Sequence, residues 1–367
     1  CYYPMNGLWD ESKNTQNTYI DSIDETFGGD KKKPIALYIH FPFCKTQCMF
    51  CHCFTIISNN EKDHNKIIDY LIKEVEILKN IFKKKGYLPN IKEIHFGGGS
   101  PSNLSNANFS RLFDAIKSLS LTTEFDTCAL EVDPRYEVDV EKMHFYADQG
   151  VSRISFGIQD FDEKIGKIIN RKNSPEMIKK LIPKEVRNRF EGINFDLIFG
   201  MPEQTMESWL KTIDKTIELD PDRLAVYVWG FRPDLYKHMK ALEKYKRADY
   251  FTQMQMFSNA INKFLDSGYR FIGLDHMAKE NDVLSVATRE KTIDRNALSH
   301  SSGKAADILA IGPNSMSSFG KSYFQNFHSL PKYYSYIDSG QLPLVRGFTA
   351  NDDDMLRRDI IFTLICH

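Results

Sequence analysis

The chain has 367 residues, 42% hydrophobic and 26% charged, which excludes a disordered tail, a collagen-like repeat and a disulfide-stapled miniprotein. Its 48 Lys and Arg balance 49 Asp and Glu, a net charge of −1, so there is neither the basic excess of a nucleic-acid binder nor an acidic solvating block. The length fits one large barrel or two ordinary domains, and no apolar run approaches the roughly 18–20 residues of a membrane span.

The N-terminus, Cys1-Tyr2-Tyr3-Pro4, has neither the basic stretch nor the apolar core of an export signal, and no initiator Met. A cytoplasmic protein with a trimmed start is expected, and Lys31-Lys32-Lys33 reads as a solvated turn. In chain order, a strand is expected over Ala36–His40. A helix follows over Asp63–Lys85, with Ile67, Ile68, Leu71, Val75, Leu78 and Phe82 on one stripe, a capping box from Ser58 and Glu61, and Gly86 as its stop. Strands are expected at Ile91–Phe96, Thr127–Val132, Arg153–Gly157, Ile193–Phe199 and Arg223–Trp229. The intervening and following helices are Leu104–Leu119, Val138–Gln149, Pro175–Arg187, Thr205–Leu219 and Asp249–Ser267. Six βα alternations point to a parallel sheet or an open barrel. Beyond Phe271 the pattern loosens through a Ser/Gly/Ala-rich stretch, Gly303–Gly320, with helices at Leu330–Ser339 and Asp352–Ile365. The expected division is an N-terminal arm over 1–33, a barrel over 34–270 and a smaller C-terminal region over 271–367 that stops short of its natural end.

Four of the seven cysteines, Cys44, Cys48, Cys51 and Cys53, fall within ten residues, which is no disulfide framework. Cys128 and Cys366, in apolar stretches, read as small buried hydrophobes. The loop is Cys44-x3-Cys48-x2-Cys51-His52-Cys53, directly after a strand. Three thiolates on one loop bind three corners of a [4Fe–4S] cluster and leave the fourth iron open. The competing reading is a structural zinc site of Cys44, Cys48, Cys51 and either Cys53 or His52. Zinc loops present two separated pairs, and no second pair exists.

Cys-x3-Cys-x2-Cys after a strand resembles the radical S-adenosylmethionine (SAM) superfamily. The likeness narrows to the oxygen-independent coproporphyrinogen III oxidase family on Tyr38-Ile-His-Phe-Pro-Phe, Cys53, Glu131-Val-Asp-Pro-Arg135, Arg153-Ile-Ser-Phe-Gly-Ile-Gln159-Asp160, Asn170-Arg171, Asp196-Leu-Ile, Pro221–Tyr227, Gly273–Lys279 and Arg357-Arg-Asp-Ile-Ile. The resemblance implies an α/β fold with a partial (βα)6 TIM-like barrel. It implies an oxidoreductase of heme biosynthesis that uses a [4Fe–4S] cluster on Cys44, Cys48 and Cys51. The cluster cleaves SAM to a 5′-deoxyadenosyl radical, as in oxidative decarboxylation of coproporphyrinogen III propionates.

By the same resemblance Gly98, Gly99 and Ser100 hold the amino group of SAM, and Glu131 and Arg171 meet its methionine end. Gln159 and Asp196 meet the ribose, and Tyr38 and Phe50 line the adenine. A bland alternative for the polar set is a structural ion pair such as Glu131 with Arg153. A second SAM falls to Tyr227, Gly230, Leu298 and Met316, so one molecule or two is expected. Cys53 is expected beside the cluster rather than on iron, because a fourth thiolate would close the position SAM needs. A tetrapyrrole carrying four carboxylates calls for cations, and Arg232, Lys279 and Arg295 are the candidates. A flavodoxin or ferredoxin is the expected electron donor, with no nucleic-acid or membrane partner and a monomeric state. Asp294–His300 and Trp229-Gly-Phe-Arg-Pro233 depart from the family pattern. Two further readings therefore stand: a radical SAM methyltransferase or other C–H functionalising enzyme, and a tetrapyrrole-binding protein.

Overall fold

A computed structural model describes residues 3–11, 16–136, 138–296, 300–302 and 306–366. Leu298 lies outside the described residues. The principal elements in chain order are α1 (Gln16–Phe27), β1 (Pro34–Phe41), α2 (Glu61–Lys84), β2 (Asn90–Gly98), α3 (Asn106–Leu119), β3 (Thr127–Val132), α4 (Val140–Gln149), β4 (Arg153–Gln159), α5 (Pro175–Leu181), β5 (Gly192–Phe199), α6 (Met206–Leu219), β6 (Arg223–Val228), α7 (Tyr250–Asp266), β7 (Tyr269–Gly273), β8 (His276–Lys279), β9 (Ile308–Ile311), β10 (Met316–Phe319), β11 (Ser322–Asn326), α8 (Leu330–Asp338), β12 (Leu344–Thr349) and α9 (Asp352–Cys366). Two compact units share them. The first holds Cys1–Phe43, Phe54–Ala129 and Glu290–His367; the second holds Cys44–Cys53 and Leu130–Arg289.

In the first unit β1 is flanked by two parallel partners, so that Tyr38 lies opposite His95 of β2 and Ala310 of β9. From β9 the chain doubles back through antiparallel β10, β11 and β12. The Ser/Gly/Ala-rich stretch thus contains two strands. Ile308–Ile311 is a wholly buried apolar run too short to stand out against its polar surroundings. The arm likewise contains α1, which seats Tyr19 edge-on against Phe319 at 5.1 Å and beside Phe324 at 4.8 Å. Helix α2 buries the predicted stripe. Its cap differs from expectation: Asn60 Oδ1 accepts the Lys62 N–H, while the Ser58 hydroxyl is spent on Asp63.

Glu74 of α2 is fully buried and accepts from the Gly312 N–H at 2.8 Å, Asn326 Nδ2 at 2.7 Å and the Tyr333 hydroxyl at 2.5 Å. It ties α2 to the turn after β9, to β11 and to α8. Burial pushes its carboxyl up to about 7 despite these donors. The folded protein therefore holds a proton that the unfolded chain has already released. Its stability contribution is complete below the ordinary glutamate pKa and is lost as pH rises to about 7. The change amounts to about 3 kcal/mol. Unfolding of the Glu74→Gln variant across pH 4.5–7.5 should lack this component.

In the second unit β4, β5 and β6 are parallel, followed by antiparallel β8 and β7. The intervening helices begin at side-chain caps, Asp139, Ser174, Thr205 and Asp249. The single helix expected over Pro175–Arg187 is broken in two. Pro183 has no N–H to donate and pushes Ile182 out of the helical region, to φ −123° and ψ 54°.

Candidate functional site

Parallel strands covered on both faces are usually apolar throughout. Here β4 and β5 alternate. Ile154, Phe156 and Ile158, with Ile193, Phe195 and Leu197, are buried on one face. Ser155, Gly157, Asn194 and Asp196 form a half-open polar row on the other, with Ser155 opposite Asn194 and Gly157 opposite Asp196. Glu131 occupies the same kind of half-open position on β3. Asp196 accepts from Ser155 Oγ at 3.0 Å and Asn194 Nδ2 at 2.9 Å. Burial, reinforced by the nearby Glu131 charge, pushes its carboxyl up to about 6. At the end of β4, Gln159 has φ 68° and a buried Oε1 with no hydrogen-bond partner among the described residues.

The cysteine loop is tied down by this unit at every turn. The Met49 N–H donates to Ile169 O at 2.9 Å, and Asn170 Nδ2 to Gln47 O at 2.9 Å. Met49 and Phe50 pack on Ile165, Ile169, Met201, Trp229 and Leu242. His238 Nε2 lies 3.0 Å from the Cys51 carbonyl, and His52 Nε2 lies 2.7 Å from that of Gly230. A carbonyl only accepts, so both imidazoles carry their proton on Nε2. Cys48 is buried, Cys44 and Cys51 half-buried and Cys53 exposed. Burial, then the neighbouring Cys51 and Cys48, push the Cys44 thiol up to about 12.

Asp133, just after β3, joins two guanidinia. Arg135 grips it with Nε at 2.9 Å and Nη2 at 2.6 Å, and Arg171 Nη1 reaches it at 3.2 Å. Both cations also reach Cys48 Sγ, at 3.4 Å from Arg135 and 3.6 Å from Arg171. Arg171 further donates from Nε and Nη2 to the Gly157 carbonyl, where a Cβ would lie 2.7 Å from Nη2. Burial alone would raise the Asp133 carboxyl. The Arg171 charge and the Arg135 hydrogen bonds outweigh it and hold Asp133 below its ordinary range.

In the first unit, Tyr38 donates its hydroxyl to His40 Nδ1 at 3.1 Å, because His40 Nε2 already donates to the Phe54 carbonyl at 3.0 Å. Gly98 has φ 108°, and a Cβ there would stand 2.8 Å from the His40 ring. At Gly99 a Cβ would stand 2.7 Å from Phe43 O. The N–H groups of Gly99 and Ser100 are taken by the carbonyls of Phe41 and Phe43. Gly98–Ser100 is thereby folded onto the end of β1.

The radical SAM superfamily profile matches residues 38–216. The oxygen-independent coproporphyrinogen III oxidase of Escherichia coli is 33% identical over 92% of this chain and 72% of its own length. That of Helicobacter pylori is 32% identical over 90% of this chain and 72% of its own. The solved E. coli coproporphyrinogen III oxidase, described as a radical SAM enzyme, superposes with a TM-score of 0.91 at 30% identity, covering 99% of this chain and 82% of that one. The chain belongs to the oxygen-independent coproporphyrinogen III oxidase family. It is a radical SAM oxidoreductase with the partial TIM-like α/β barrel expected from its βα alternation, and its cofactors are a [4Fe–4S] cluster and SAM.

The residues present fit those cofactors. Two buried cations beside Cys48 Sγ offset thiolate charge, and the unpartnered Gln159 oxygen is a buried acceptor that a polar ligand would satisfy.

Among the cations named for substrate, Lys279 stands apart. It lies beyond Ala278, the partner of Arg223 at the start of β6, and pairs with Asp220 at 2.8 Å. The candidate ligand residues Gln159 and Arg171 follow the opposite ends of these parallel strands. Arg232 pairs with Asp234, and Arg295 lies 3.1 Å from His300 Nδ1 in the first unit. Tyr227 is partly exposed at the end of β6, while Met316 packs against Trp9, Tyr323 and Ala350 in the first unit. Arg153 is spent on Asp282 at 3.1 Å. Asp133 and Arg135 carried no role in the sequence reading, although both stand in the Glu131–Arg135 motif.

Removing one partner of a buried ion network leaves the others uncompensated, typically at about 3–5 kcal/mol. Asp133→Asn should lower the unfolding free energy by this order and open the 44–53 loop to proteolysis. Chemical denaturation and limited digestion of the metal-free protein report both.

Proposed function

We propose that this protein carries out oxidative decarboxylation of coproporphyrinogen III, the small-molecule substrate named in its curated relatives. The observation that supports this best is the arrangement of the second unit. A three-thiol loop, two cations at its central sulfur, and a polar strand face carrying Glu131, Gln159 and Asp196 belong to one compact body. When bound, the cluster would supply the electron that cleaves SAM to methionine and a 5′-deoxyadenosyl radical able to take a hydrogen atom from a propionate β-carbon; loss of carbon dioxide, with one electron passing to an external one-electron acceptor, would leave a vinyl group.

In this reading Cys44, Cys48 and Cys51 hold the cluster and Cys53 stays off iron. Arg171 and Glu131 bind the charged end of SAM, and Gln159 and Asp196 orient its ribose. Gly98, Gly99 and Ser100 let backbone approach the ligand, with Tyr38 and Phe50 at the adenine. Tyr227, Gly230 and Met316 are kept for a second SAM, and Arg232 for a substrate carboxylate. An external one-electron carrier, of the flavodoxin or ferredoxin kind, supplies the reducing equivalent.

Anaerobic incubation of the reduced enzyme with coproporphyrinogen III and SAM should yield a vinyl product and carbon dioxide. Their absence, with S-adenosylhomocysteine formed on another substrate, would replace this reading with methyl transfer. Cys53→Ser should keep the iron content and absorbance of the reconstituted enzyme, while Cys44→Ser, Cys48→Ser and Cys51→Ser each lose them. Ribose hydroxyls donate best to a charged carboxylate. Affinity for SAM should therefore fall as pH drops through about 6, where Asp196 takes up its proton. Asp196→Asn should flatten that dependence in a binding titration.

A further inference from the structure

We propose that the stretch Lys237–Arg247 in the second unit is the docking surface for an acidic one-electron carrier protein. The inference rests on the radical SAM reading above, in which the cluster must be reduced from outside.

The sequence there is Lys237-His-Met-Lys-Ala-Leu-Glu-Lys-Tyr-Lys-Arg247. Lys237, Lys240, Lys244, Lys246 and Arg247 are all exposed, against the single acid Glu243. The chain as a whole is balanced at −1, so this excess is local. Elsewhere in the unit several surface cations are paired, as Lys164 with Glu203, Lys211 with Glu207 and Lys263 with Asp214, while Lys172, Lys179, Lys180 and Lys184 are exposed without such a partner among the described residues. Among the described residues none of these five has such a partner. Lys244 and Arg247 lie instead over the rings of Tyr245 and Phe231, at 5.2 and 3.8 Å.

A charge run is ordinarily a solvated face. What distinguishes this one is where it is fastened. His238 donates to the Cys51 carbonyl. Leu242 and Tyr245 pack in the same apolar cluster as Met49 and Phe50 of the cysteine loop. Just upstream, Tyr236 stacks face to face on His52, 4.7 Å between centroids and 7° between planes. The cations therefore stand on the outer covering of the loop that bears the thiols. Large apolar side chains flank them: Leu235 is 61% exposed, Tyr250 77% and Phe251 70%. Exposed aromatic and aliphatic groups with a charged rim are the composition of a transient protein contact.

The chemistry selects the occupant. A cationic rim attracts an acidic partner and speeds its encounter, most strongly at low ionic strength. A partner seated here is separated from the cluster loop by one layer of packed side chains. A single electron leaves the carrier and enters the cluster; no bond forms or breaks in that transfer.

The test uses the cluster-loaded enzyme and an acidic flavodoxin in its hydroquinone form. Stopped-flow oxidation of the flavodoxin and its affinity are followed from about 20 to about 200 mM salt, over which screening of exposed charges rises steeply. Combined Lys237→Glu, Lys240→Glu and Lys244→Glu should slow the electron transfer at low salt by about tenfold or more and remove its salt dependence. SAM cleavage driven by dithionite should be unchanged. A control reversing Lys179, Lys180 and Lys184 to Glu, exposed cations on other elements of the unit, should leave the flavodoxin reaction intact. The proposal is overturned if the first triple variant keeps the wild-type rate and salt slope, or if the control slows equally. Wild-type enzyme that cleaves no SAM with dithionite would instead overturn the radical SAM reading itself.

Discussion

The cysteine loop depends on one buried carboxylate. Asp133 sits between Arg135 and Arg171, and both guanidinia reach on to Cys48 Sγ. Without Asp133 the two cations would face each other in a poorly solvated space, at a cost that neither sulfur contact offsets. With it they are aimed. Arg135 also donates to the Asn170 carbonyl, and Asn170 in turn donates to Gln47 O, so the ion cluster and the loop backbone share one set of hydrogen bonds. The net charge of the trio is positive, which suits a sulfur that must be a thiolate to bind iron. Loading the loop also means displacing protons, since burial holds the Cys44 thiol neutral in the metal-free protein.

At Asp196 the balance reverses. Asp196 is held by two neutral donors, Ser155 and Asn194, and feels Glu131 as a like charge, so its carboxyl rises where that of Asp133 falls. The cation and this carboxylate meet at one point of the sheet: Arg171 donates to the Gly157 carbonyl, and Gly157 lies opposite Asp196. The orientation of SAM proposed above comes from the family resemblance, and this pairing offers a partner to a carboxylate and to donating hydroxyls alike.

The sequence made the parallel part of the fold legible. Each βα alternation leaves a period-2 or period-3.6 signature, and Thr127–Val132 and Leu330–Asp338 appear almost as read. The antiparallel strands after Phe271 were not seen. They are four to six residues long, and the buried Ser322–Asn326 strand is mostly polar, so no alternation marks it. Helix α1 was missed because Tyr19, Ile23 and Phe27 make a single weak stripe in a polar arm. The thiols of the site were visible because their spacing is local. Asp133 and Arg135 were visible only as letters in a motif, since their partners Arg171 and Cys48 lie 38 and 87 positions away in the chain. Lys279 shows how far a motif leaves a side chain's surroundings open: the antiparallel course of β8 carries it to the start of β6 and into a pair with Asp220.

Where this chain departs from the family pattern is also informative. The Glu131–Arg135 and Asn170-Arg171 segments, which grip the inner side of the cysteine loop, keep the family motif. The divergent run Trp229–Pro233 leads into the segment that covers the loop from outside, through Gly230 with His52, Tyr236 with His52, and His238 with Cys51. Inner contacts are constrained by the charge and geometry that a cluster thiolate needs. Outer contacts need only hold the loop in place, and an imidazole donating to a backbone carbonyl does so without reference to the side chain beneath it. A covering fastened through backbone carbonyls and ring stacking can therefore carry surface cations such as Lys237 and Lys240 without disturbing the ion cluster that grips Cys48.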